Sequence, residues 1–119
     1  MRSKTVVLVL AVLAAWSQPA VSKPDYESGN WWLERCQAGD AVSQGSCVWF
    51  VYGFTQGLAA QAVGSGAQKI YCQPESVTYG QAKDIWIKYM QDNPAERHKP
   101  AGVLLMVSML KAFPCAVTR

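Results

Sequence analysis

The chain has 119 residues, half of them hydrophobic, a net charge of +3, one histidine and four cysteines. The charges are scattered and form no basic run, which excludes the electrostatic footprint of a nucleic-acid partner. Apart from one N-terminal stretch there is no apolar span and no polybasic segment, so nothing supports a membrane-surface role.

Residues 1–22 read as an export signal. Arg2 and Lys4 form a positive start, residues 6–16 are an apolar run, and Ala20 and Ser22 place small residues at −3 and −1. Cleavage after Ser22 leaves a mature domain of residues 23–119. It carries nine Lys and Arg against eight Asp and Glu, a net charge of only +1. The expected compartment is the periplasm of a Gram-negative bacterium, with no membrane attachment after cleavage. There Cys36, Cys47, Cys72 and Cys115 are expected to form two disulfides. Four cysteines allow three pairings, and spacing alone does not choose among them. Ten, twenty-four and forty-two residues separate them, with no Cys-x-x-Cys knuckle, so zinc and thioredoxin-like chemistry lack their motifs.

Residues 30–37 read as a first helix, with Trp31, Trp32, Leu33 and Cys36 apolar. Adjacent residues on a helix point about 100° apart, so Trp31 and Trp32 cannot both face one core line. One of them is a candidate surface aromatic. Residues 38–46 are small and polar with Gly39 and Gly45 as breakers, and read as a connector. Cys47, Phe50, Val51, Phe54 and Leu58 then recur at helical spacing. Val48, Trp49 and Tyr52 make this second helix apolar almost all round, the pattern of a central, buried helix. Gly53, Gly57 and Ala60 permit close approach by another helix, either within the molecule or in a homodimer.

The glycine-rich stretch at residues 64–67 ends this helix and opens a loop. Thr78 and Gln81 form a capping box for a third helix. Its stripe is Tyr79, Ala82, Ile85, Trp86, Tyr89 and Met90. Lys83, Asp84 and Lys88 make its solvated face, with Asp84 and Lys88 paired one turn apart. Asn93-Pro94 stops it. Pro100 suits the first position of a fourth helix, along which Val103, Leu104, Val107, Leu110 and Phe113 recur. Pro114 and Cys115 end it. The expected class is all-α: a small four-helix bundle stapled by two disulfides.

No catalytic set emerges. His98 is the lone histidine, no serine lies in an elbow motif, the carboxylates are dispersed, and no glycine pattern cradles phosphate. The chain is not expected to be an enzyme or to need a cofactor. Aromatic anchors and the 64–71 loop, with Gln68 and Lys69 near its tip, remain as candidate contacts for a protein partner. Trp31 is the third candidate.

An ordered set of residues resembles the Rap/Tai-type immunity proteins associated with bacterial type VI secretion. It comprises Ser28-Gly29-Asn30, Leu33 and Cys36, then Cys47, Phe50 and Gly53. It continues with Cys72-x-Pro74, Val77-Thr78, Gln81, Tyr89, Asn93-Pro94, His98 and Pro100-Ala101, and closes on Ala112-Phe113-Pro114-Cys115. Trp49 departs from the pattern, which has a small residue there. The resemblance implies a helical, disulfide-bonded periplasmic protein that binds and occludes a toxic effector, in some relatives a cell-wall amidase. It also implies that dimers occur. The alternative is a small periplasmic chaperone of the acid-stress kind, also helical and disulfide-bonded. Geometric plausibility points to Cys36–Cys47, tying helix one to helix two, and Cys72–Cys115, holding the loop to the end of helix four.

Overall fold

The computed structural model describes residues 25–116; the expected leader, residues 1–22, lies outside the described residues. Four α-helices follow one another: α1 Gly29–Gln37, α2 Ala41–Ser65, α3 Tyr79–Asp92 and α4 Ala101–Ala112, with a 3-10 turn at Pro94–Glu96 between the last two. The described residues contain no strand, only an isolated bridge between Ser28 and Pro100.

Helix α1 starts at the cap residue Ser28, whose hydroxyl accepts the Trp31 amide at 3.3 Å. It buries Gly29, Leu33 and Cys36, which share one face. The Ser28-Gly29-Asn30 segment meets the turn before α4. Gly29 N–H donates to Lys99 O at 3.0 Å, Asn30 N–H to Arg97 O at 2.9 Å, and Ala101 N–H to Glu27 O at 2.6 Å. This pairing needs extended backbone at Pro100, which has φ −55° and ψ 133°. Pro100 is therefore the cap of α4 and not its first helical residue.

The connector expected at residues 38–46 shrinks to residues 38–40. Asp40 caps α2, its carboxylate accepting the Ser43 amide at 2.8 Å. Hydrogen bonds from the Ser43 side chain and backbone hold that carboxyl below its ordinary 3.8. Gln44, in the first turn of α2, donates its amide back to the carbonyls of Cys36 and Ala38 at 2.7 and 2.6 Å. It thus satisfies orphan acceptors at the end of α1. These side-chain bonds outweigh the helix-breaking cost of Gly45, about 1 kcal/mol against alanine. Cys36 and Cys47 are joined within this corner, Cα to Cα 5.6 Å. Cys72 is joined to Cys115 at 4.8 Å. Both pairings match the expectation.

Helix α2 is not the central buried helix. It buries only Ser43, Cys47 and Val51 along its 25 residues. The core centres on α3 and α4, through Ala82, Trp86, Met90, Ala101, Leu104, Leu105 and Met109. A helix that is apolar all round buries only the face its neighbours cover, and here α1 and α3 cover one side of its first half. Gly53 and Gly57 have nothing within 4 Å of an added Cβ. The close-packed glycines are Gly29, against Leu104, and Gly102, against Phe54.

The capping box of α3 is present as expected. Gln81 N–H donates to Thr78 Oγ1 at 3.1 Å and Thr78 N–H to Gln81 Oε1 at 2.8 Å. Thr78→Ala is expected to lower unfolding free energy by about 1 kcal/mol, measured by urea denaturation followed by circular dichroism. On the outer face the expected Asp84–Lys88 pair does not form. Lys88 reaches Asp92 at 2.9 Å instead. Lys83 is not part of a fully solvated face: its side chain lies over the α2 corner and donates to Gln44 Oε1 at 3.2 Å.

Candidate functional site

The loop after α2 begins at Gly66, the one residue with positive φ (+67°) among those described. This left-handed step ends the helix and turns the chain back along it. Residues 67–71 then run beside the outer half of α2. Between them lies a groove of about 360 Å³. One wall is Leu58, Ala59, Ala62 and Val63; the other includes Ile70 and Tyr71. Gln68 and Lys69 line it and are exposed, and Lys69 is its only charged residue. Burial, with a smaller push from Tyr79, raises the Tyr71 phenol above its ordinary 10.0. The wall is anchored by Cys72, bonded to Cys115 and donating its N–H to Phe113 O at 2.8 Å.

Trp31 sits elsewhere. It is half-buried on α1, edge-on to Tyr26 and Trp32 with ring centroids 5.0 Å away in each case. The Arg35 guanidinium lies 5.1 Å from its centroid. Trp32 turns inward to Phe50, at 4.2 Å. The two adjacent tryptophans thus point different ways, Trp32 packing on the core and Trp31 resting half-buried among Tyr26, Trp32 and Arg35. Trp31 lines a separate shallow hollow with Glu34, Arg35, Ala38 and Ser43, so Gln68 and Lys69 are brought together and Trp31 is not.

A second exposed surface is the outer face of α2. Its 25 residues include no Asp, Glu, Lys or Arg. Val42 is 73% exposed, Trp49 70% and Val63 86%, with Tyr52 at 39%. Large apolar groups exposed on an uncharged helix make this face a candidate contact surface. The signal was present as the absence of any charge from residue 41 to residue 65. His98 stands exposed in the turn before α4. Among the described residues no three His, Cys, Asp or Glu side chains converge to hold a metal ion.

A stapled helical frame that presents an apolar groove and an uncharged helix face is a binding module. The chain belongs to the Rap1a immunity proteins, whose family model matches residues 28–115, from the cap of α1 to the last cysteine. No curated protein and no solved structure matches it.

Proposed function

We propose that this protein is a periplasmic immunity protein that binds a toxic effector delivered by type VI secretion and occludes it, a cell-wall amidase being the target class. Family membership supports an effector-immunity role. The observation that carries the binding mode is the groove between α2 and residues 67–71, where an apolar channel runs beside a single cation. It suits an apolar segment of the effector carrying an acidic group opposite Lys69. The apparent export signal and the two disulfides support the periplasm as the site of action. The test is neutralisation. The mature protein, supplied in the periplasm of cells that export the toxin encoded beside its gene, is expected to restore growth. Lys69→Glu is expected to weaken binding of that toxin at least about tenfold, as charge reversal at a contact does. Failure to protect against any adjacent toxin would refute the reading.

The outer face of α2 is assigned to a second copy of the chain. Val42, Gly45, Trp49, Tyr52, Gln56, Ala59 and Val63 recur at alternating three- and four-residue steps, the spacing of a helix–helix seam; Ala59 and Val63 also border the groove, so a second copy and an effector compete for that end of α2. An antiparallel two-fold axis between Tyr52 and Gly53 sets Val42 opposite Val63 and Gly45 opposite Ala60. It also lays Trp49 beside Gln56 and the open Gly57. Valine thus meets valine, small residues meet small ones, and Trp49 meets the space an open glycine leaves, a pairing consistent with a self-complementary interface, and no like charges oppose. Sedimentation of the wild type is expected to give a dimer, and Trp49→Glu a monomer with unchanged helical circular dichroism. A wild type that is monomeric at tens of micromolar would sink this assignment.

A further inference from the structure

The two disulfides sit in opposite environments. Cys36 and Cys47 are 3% and 0% exposed, whereas Cys72 is exposed and Cys115 half-exposed. We propose that Cys72–Cys115 is a site of thiol–disulfide exchange, a latch that a dithiol reductant opens while Cys36–Cys47 stays oxidised. Exchange requires a thiolate to reach a sulfur along the S–S axis, so access decides which bond reacts. Cys72 is the more exposed residue of the pair, which makes its sulfur the expected point of attack. Attack there forms a mixed disulfide between the reductant and Cys72 and expels Cys115 as thiolate, which takes a proton from water. The second thiol of the reductant then displaces Cys72. Two electrons have passed, leaving two protein thiols and the oxidised, cyclic reductant. The Lys69 carbonyl, 3.8 Å from Cys115 Sγ, becomes an acceptor for the new thiol.

What the latch holds is the groove wall and not the core. None of the fully buried hydrophobic residues comes from the loop between α2 and α3; all lie on the four helices. The loop is tied to the frame by the disulfide, by the Cys72-to-Phe113 backbone bond and by the partly buried Tyr71 ring. Opening the latch removes one of these ties and leaves the other two unsupported. Residues 67–71 and Gln73, which line the groove, then part from α2. The four helices keep their packing and their buried Cys36–Cys47 staple.

The test is graded reduction of the folded protein with dithiothreitol at neutral pH, quenched by alkylation and read by peptide mass spectrometry. Cys72 and Cys115 are expected to be alkylated at a reductant concentration at least about tenfold below that needed for Cys36 and Cys47. Helical circular dichroism should not change at that first step, and hydrogen exchange should quicken only over residues 66–78. Four thiols appearing together, the buried pair appearing first, or loss of helix at the first step would each overturn the proposal. The double variant Cys72→Ser, Cys115→Ser provides an independent check. It is expected to stay helical with Cys36–Cys47 intact and the same local loss of protection, and an unfolded double variant would also overturn the latch. None of these readouts involves an effector, so they stand or fall apart from the immunity reading.

Discussion

Trp86→Ala is expected to lower unfolding free energy by about 3–5 kcal/mol, the range for deleting a buried aromatic side chain. The Trp86 side chain is fully buried on α3 and stacks on Phe50 of α2, centroids 5.1 Å apart and planes 13° apart. Trp32 of α1 lies 6.0 Å away. Three helices thus meet on one ring, and alanine leaves a cavity that none of them can close alone. Trp86 Nε1 is buried without a hydrogen-bond partner, so the indole already carries an uncompensated polar group. Trp86→Phe removes that group and keeps most of the ring, and is expected to retain more than half of the stability that alanine forfeits. Guanidinium denaturation of the three proteins checks both statements. An alanine variant within about 1 kcal/mol of wild type would show that the core does not close on this residue.

Gly29→Ala is expected to cost about 1–3 kcal/mol by overpacking. A Cβ there would come within 2.3 Å of Leu104 Cδ1, 3.0 Å of the Arg97 carbonyl and 3.3 Å of Met90 Sδ. The Leu104 side chain is itself buried, and the Arg97 carbonyl is held by Asn30. Relief therefore requires α1 to draw away from the turn before α4, straining the Gly29-to-Lys99 and Ala101-to-Glu27 bonds. Gly53→Ala is the control. Nothing lies within 4 Å of a Cβ at that position, and alanine favours a helix interior by about 1 kcal/mol over glycine. The same chemical change should thus destabilise at residue 29 and stabilise at residue 53. Equal effects at the two sites, measured by thermal denaturation, would refute the packing argument.

These two glycines show where the sequence was legible and where it was not. Gly53 and Gly57 stand one turn apart inside an apolar helix, the pattern that announces close packing, yet no other part of this chain approaches them. Gly29 gives no such signal, because what crowds it comes from residues 97 and 104, far along the chain. Helix α3 was readable from end to end, since Thr78, Gln81, its 3.6-residue stripe and Asn93-Pro94 are all local signals. The start of α2 was hidden because Asp40 and Gln44 support a helix through bonds whose value depends on where α1 ends. The candidate site divides in the same way. Gln68 and Lys69 were visible as the polar tip of a glycine-rich loop, whereas Leu58, Ala62 and Val63 become a groove wall only when that loop folds back along α2.

By itself the sequence determined that the chain is helical, where most helices stop, which segment of 25 residues is free of charge, and that four cysteines are available to brace a small core. Those properties follow from short-range chemistry: capping, periodicity, turn residues and composition. Only the tertiary structure decided which faces are buried and which two cysteines meet in each pair. It also decided that α3 and α4, not α2, carry the core, and that one staple is sealed inside while the other stands open. Burial is a property of what a face packs against, and for this chain those neighbours lie tens of residues away.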